Sequence, residues 1–162
     1  LSMSPVQLLQ IQGILASGGK LLTPHVARGL LDHKGKLTPV EPLPAPRQIF
    51  SPSTTTQVLK MMEDVVELGT GKIAKIPGYR FGGKTGTAQK SDQFGYTNKK
   101  ATSFVGIFPT QKPRYVVLAV IDEPIGDDAF GSTVAAPIVK EVLEDLILQD
   151  GILPSHPEEL KR

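Results

Sequence analysis

The chain has 162 residues, 40% of them hydrophobic and 21% charged, which supplies one packed core and excludes a wholly disordered chain. Its 18 basic and 16 acidic side chains leave a net charge of +2; nucleic-acid binders gather Lys and Arg on one face, and no such footprint is present. The absence of Cys excludes disulfides and thiolate chemistry, and the longest apolar run, Tyr115 to Ile121, has seven residues where a membrane helix needs about 20. Nothing at the N-terminus resembles a signal peptide, and a chain that begins with Leu1 rather than Met reads as a piece of a longer protein.

Residues 4–18 predict a helix, with Ser4 as N-cap, Pro5 at the first helical position and Gln7 completing a capping box. Leu8, Ile11 and Leu15 form its apolar stripe with Ile14 beside it, and Gly18-Gly19 ends it. Residues 20–50 carry five prolines and read as a ragged extended excursion with a turn at Lys34-Gly35. Val58, Met62, Val65 and Val66 recur at helical spacing from Pro52 to Leu68, and Gly69 closes that helix, with Met61 and Met62 as core or flank. Tyr79–Gln89 reads as a strand, Lys90–Lys99 as a polar loop, and Ala101–Phe108 and Arg114–Ile121 as two more strands joined at hairpin length. The run Tyr115–Ile121 is apolar on both faces, which predicts a central strand covered on both sides. Thr133–Gln149 predicts a third helix with two apolar stripes, and the segment from Leu153 reads as a polar, frayed tail. The order helix, helix, three strands, helix predicts an α+β domain with a largely antiparallel sheet flanked by helices.

Two motifs overlap at the first strand. Gly78, Gly83, Lys84 and Thr85 match the phosphate-binding pattern G-x-x-x-x-G-K-T, but such a loop must follow a strand and open a helix so that backbone N–H groups meet the phosphates. Pro77 precedes this match and a strand pattern follows it, which argues against a nucleotide binder. Lys84-Thr85-Gly86 is also the K-T-G triplet of serine acyl-transferring enzymes that react with β-lactams. On a strand Thr85 and Thr87 share a face, where two hydroxyls can bind a carboxylate, and Lys84 points the other way. Gly86 leaves room for close approach to the backbone, and the Thr87 N–H can serve as an oxyanion donor if the strand lies at an edge.

The wider sequence resembles the C-terminal part of the transpeptidase domain of class B penicillin-binding proteins. The blocks run in order: Met3–Leu9, Leu15–Gly19, Val65–Gly71, Phe81–Gln89, Gly95-Tyr96, Ser103–Pro109, Asp122–Pro124, Phe130-Gly131 and Val134–Pro137. The resemblance implies the penicillin-binding protein and serine β-lactamase-like fold, with residues 1–152 as part of that domain and 153–162 as the tail. It implies peptidoglycan D,D-transpeptidation through a serine acyl-enzyme, with D-Ala-D-Ala stem peptides as substrates, β-lactams such as penicillin as ligands, and no cofactor or metal. Lys84 and Thr87 are the expected catalytic residues, and Thr85, Gly86 and Thr87 the expected substrate-binding ones. The remainder of the transpeptidase domain, and division or elongation complex proteins, are the expected partners; nucleic acid is not. A single-pass anchor outside this chain would hold the domain on the outer side of the inner membrane.

The resemblance also places the nucleophilic Ser of S-x-x-K, and the Ser of S-x-N, upstream of this chain. Ser17-Gly-Gly-Lys20 fits S-x-x-K by letter, but two glycines break the helix that must set Ser and Lys on one face. Tyr96-Thr-Asn98 fits a variant of the second motif in the wrong order and reads as loop. The isolated chain is therefore expected to be inactive. A non-catalytic β-lactam-binding or structural module of the same fold remains the alternative. His25, His33 and His156 lack ligand spacing, and Asp127-Asp128 and Glu158-Glu159 read as solvated surface pairs.

Overall fold

The computed structural model describes residues 3–39, 43–126 and 128–160. Helix α1 spans Pro5–Ala16, and its capping box forms: the Gln7 N–H donates to Ser4 Oγ at 3.3 Å and the Ser4 N–H to Gln7 Oε1 at 2.7 Å. Ile14 is its buried residue, whereas Ile11 faces outward. Ser17 caps the C-terminus and its hydroxyl contacts the Ile14 and Lys20 carbonyls, so this S-x-x-K look-alike is a helix end. The excursion that follows holds two small antiparallel ladders, β1 (Lys20–Leu21) with β4 (Arg47–Gln48) and β2 (Gly29–Leu31) with β3 (Leu37–Pro39). Its turn lies at residues 32–36, where the Asp32 carboxylate accepts from the Lys34 and Lys36 N–H groups and Gly35 takes φ +78°. Helix α2 (Pro52–Glu67) starts on a Ser51 cap and buries Thr55, Leu59, Met62 and Val66 at helical spacing, while Met61 is exposed.

The body is a three-stranded antiparallel sheet of β5 (Gly82–Asp92), β6 (Gly95–Phe108) and β7 (Tyr115–Asp122), in the order β5-β6-β7. Helix α3 (Ala136–Asp150) follows a π-type turn at Gly131–Ala135 and ends on Gly151 in the left-handed region. Phe104, Phe108 and Ala119 cover one face with Phe81, Val66 and the α3 stripe Val139, Leu143 and Ile147. Val105 and Ile107 form the other face with Leu59 and Met62 of α2 and the partly buried Leu15, Val116 and Leu118. A fully buried side chain of this size contributes about 1.5–3 kcal/mol, so the two layers fix the position of β5.

Several expectations change. The predicted polar loop Lys90–Lys99 is mostly a hairpin arm, because β5 runs on to Asp92 and β6 begins at Gly95; Tyr96-Thr-Asn98 therefore lies on a strand. Alternation could not mark this arm, since both of its faces meet solvent. The central strand among the described residues is β6; β7 has one neighbour and lies at an edge, only partly buried. The segment from Leu153 is docked rather than frayed. His156 N–H donates to the Gly78 carbonyl at 2.9 Å, and Glu159 binds Arg80 and the Gly78 N–H.

Candidate functional site: the strand Lys84–Thr87

Strand β5 enters the sheet on two glycines that its packing requires. A Cβ on Gly83 would meet the Phe104 ring at 2.5 Å and Val66 at 2.7 Å, and one on Gly82 would meet Met62 at 3.0 Å. The strand is thus pressed against α2 and β6 immediately before Lys84. Register pairs set the faces: Thr85 lies opposite Phe104 and Thr87 opposite Thr102, on the α3 side of the sheet. Lys84 opposite Val105 and Gly86 opposite Ser103 lie on the other side. The pleat therefore puts the two threonine hydroxyls on one face and Lys84 on the opposite one.

Lys84 and Thr87 are exposed, and Thr85 and Gly86 half-buried. Lys84 Nζ donates to the Thr85 carbonyl at 2.8 Å. Thr87 Oγ1 accepts from the Gly131 N–H at 3.4 Å, which leaves its own proton free to point outward. Gly131 itself sits flush on the ladder: a Cβ there would meet the Ser103 carbonyl oxygen at 2.2 Å and the Gly86 carbonyl oxygen at 2.7 Å. Thr70, from the turn after α2, places Oγ1 3.4 Å from Thr85 Oγ1. Sequence reasoning missed both neighbours. Each reaches β5 through long-range packing, and the only signal for them was their place in the blocks Val65–Gly71 and Phe130-Gly131.

Among the described residues β5 pairs only with β6, so its other side is open. Beyond Gln89 the register slips, and side chains stitch the slip: Gln89 Nε2 donates to the Thr97 carbonyl at 2.7 Å and Thr97 Oγ1 to the Lys90 carbonyl at 3.0 Å. Lys90 pairs with Asp122 at 2.7 Å and with Glu123 at 2.9 Å; its bonds to these carboxylates raise its pKa. Glu123 is lowered, first by Lys90 and then by Lys99.

Below the site, the Arg80 guanidinium and the Gly78 N–H hold the Glu159 carboxyl down to about 2. That pairing corrects the reading of Glu158-Glu159 as a solvated pair; Glu158 alone fits it, with a 3.0 Å contact to His156. Asp127 lies outside the described residues. The G-x-x-x-x-G-K-T match enters strand β5 and opens no helix, so its backbone N–H groups do not converge on a phosphate. Among the described residues no three His, Asp or Glu side chains gather as a metal site would require.

The antiparallel sheet flanked by helices, with its K-T-G strand at an open edge, has the fold of the penicillin-binding transpeptidase class. A family model described as the penicillin binding protein transpeptidase domain matches residues 1–144, and the chain belongs to that family. It is 43% identical over 171 aligned positions to a peptidoglycan D,D-transpeptidase FtsI homolog of Mesostigma viride, covering 97% of this chain and 29% of that protein. It is 39% identical over 155 positions to the stage V sporulation protein D of Bacillus subtilis, covering 94% of this chain and 24% of that one. The crystal structure of penicillin binding protein 3 from Mycobacterium tuberculosis, complexed with ampicillin, superposes with a TM-score of 0.85 at 30% identity, over 96% of this chain and 36% of that one. The chain thus spans about a quarter to a third of the length of these curated relatives. The expected fold, an α+β penicillin-binding transpeptidase fold, is the one observed.

Proposed function

We propose that this chain supplies the carboxylate-binding and oxyanion strand of a peptidoglycan D,D-transpeptidase. In the full-length protein a serine outside this chain attacks the D-Ala-D-Ala carbonyl of a stem peptide and releases D-Ala. An amine of a second stem peptide then takes the acyl group, which forms the cross-link. Thr85 and Thr87 donate hydroxyl hydrogen bonds to the terminal carboxylate, charge-assisted contacts of about 1.5–3 kcal/mol each. Lys84, on the opposite face, supplies positive charge to the proton network of the nucleophile. Gly86 keeps the strand bare, so the substrate backbone can lie against it.

The observation that carries this reading is the open side of β5 at Thr87. Lys84 Nζ donates to the Thr85 carbonyl, and we read that carbonyl as facing the open side of the strand. In an antiparallel strand a residue's N–H and C=O share a direction that repeats two residues on, so the Thr87 N–H faces the same open side. A backbone N–H held there can meet the developing oxyanion without reorganising. Names of relatives support the substrate class, and the ampicillin complex of a relative supports β-lactams as ligands. Among the described residues no helix is long and apolar enough to cross a membrane; the anchor, like the nucleophile, belongs to the rest of the protein on this reading, and the domain faces outward from the inner membrane.

The test is labelling with a fluorescent penicillin, followed by mapping of the modified residue. The full-length protein should form a covalent adduct at a serine upstream of this chain, and the isolated 162-residue chain should form none. An adduct on Ser17 or any other serine of the isolated chain would refute the assignment, and so would a full-length protein that never labels.

A further inference from the structure

The Thr70 hydroxyl has no role in the scheme above, yet the fold fixes it with some care. Helix α2 ends and the chain wraps back over Val65: the Gly69 and Gly71 N–H groups both donate to the Val65 carbonyl, at 3.1 and 2.9 Å. Both glycines ease so tight a wrap. A Cβ on Gly69 would meet the Val65 carbonyl oxygen at 3.0 Å, and one on Gly71 would meet it at 3.2 Å and the Phe104 ring at 3.3 Å. Phe104 is fully buried and is the register partner of Thr85. The turn that carries Thr70 and the strand position that carries Thr85 therefore rest on the same aromatic ring. Between them the two hydroxyl oxygens stand 3.4 Å apart.

A hydroxyl has one proton and two lone pairs. If Thr85 gives its proton to a carboxylate, its oxygen still accepts, and the nearest donor is the Thr70 O–H. Donation from Thr70 makes the Thr85 oxygen a better donor in turn, because a chain of hydrogen bonds polarises each member. It also removes the Thr85 rotamers that would aim its proton back toward Thr70. Thr87 is served in parallel fashion by the Gly131 N–H at 3.4 Å. Each carboxylate-facing hydroxyl thus has one donor behind it, Thr70 for Thr85 and Gly131 for Thr87.

Resting on the carboxylate assignment above, we infer that Thr70 is a positioning residue for substrate recognition: its hydroxyl donates to Thr85 Oγ1 and turns the Thr85 proton toward the substrate carboxylate. Thr70 acts through Thr85, so its effect must vanish when either Thr85 or the ligand's carboxylate is removed.

The experiment measures second-order acylation of the full-length protein by a carboxylate-bearing penicillin and by the same compound with that carboxylate esterified. Thr70→Val should slow the first about three- to tenfold, the size of one neutral hydrogen bond, and leave the second unchanged. Thr70→Ser, which keeps the hydroxyl, should restore the rate. In a Thr85→Val background, Thr70→Val should cause no further loss. Wild-type kinetics in Thr70→Val while Thr85→Val loses its carboxylate preference would overturn the relay and leave the function standing, as would an equal loss for both compounds. Failure of Thr85→Val itself to lose that preference would overturn the carboxylate assignment and the relay with it.

Discussion

Strand β5 begins and ends in different surroundings. At its start Gly82 and Gly83 are buried against Met62, Val66 and Phe104, and the strand is held by two hydrophobic layers. At its far end Ser91 and Asp92 are exposed, and the arm carries Phe94 at 89% and Tyr96 at 81% exposure. The ladder continues through both, but the cause of order differs: burial at the base, ion pairs and side-chain-to-backbone bonds at the arm. Lys84–Thr87 lie where the first regime gives way to the second. That placement suits a binding strand, since the donors stand on a rigid base while the local opening cost falls toward the tip.

Removing the base should have the largest effect. Phe104 is fully buried and touches the positions where both Gly83 and Gly71 approach it, so Phe104→Ala should destabilise the domain by about 3–5 kcal/mol. Thermal or denaturant unfolding of the full-length protein checks this, and a loss under 1 kcal/mol would mean that the base is not what holds the strand. A milder break comes from acid. Glu159 has a carboxyl held at about 2, below its ordinary 4.5, by Arg80 and the Gly78 N–H. A lowered folded-state value stabilises the paired form fully above the unfolded value and loses that contribution as pH falls through the folded one. Docking of residues 153–160 against Gly78 and Arg80 should therefore weaken between about pH 4.5 and 2. Hydrogen exchange at His156 across that range reads it, and Glu159→Gln should loosen the segment at neutral pH as well. At the arm the effect should be least. Phe94→Ser should change stability by no more than about 0.5 kcal/mol, and a larger loss would show that the tip is packed after all.

The same contrast decides how much the sequence could tell. Helices α1 and α2 were legible because Ser4, Pro5, Gln7 and the Val58-to-Val66 spacing are local signals; the cap forms as implied, while the buried stripe of α2 is Thr55, Leu59, Met62 and Val66, with Val58 and Val65 at its half-buried flanks. The first strand was legible where it is buried, although it starts at Gly82 rather than Tyr79. The arm was not, because a strand solvated on both faces has no alternation to read. The tail was not, because its anchor Arg80 lies 79 residues from Glu159 in sequence. At the site, the sharing of one face by Thr85 and Thr87 follows from the pleat alone. Thr70 and Gly131 are brought up by packing around Phe104 and Ser103, which no local pattern in the chain encodes.

The central claim is that Thr87 meets a carboxylate and Lys84 serves the nucleophile. The most direct measurement is the second-order rate of acylation by penicillin in full-length Thr87→Val and Lys84→Ala variants. Thr87→Val keeps the side-chain shape and the backbone N–H, so the rate should fall about ten- to a hundredfold with a carboxylate-bearing agent and much less with a carboxylate-free one. Lys84→Ala should cost more than Thr87→Val with either agent. Equal losses of Thr87→Val for the two agents, or a wild-type rate in Lys84→Ala, would contradict the assignment of this strand.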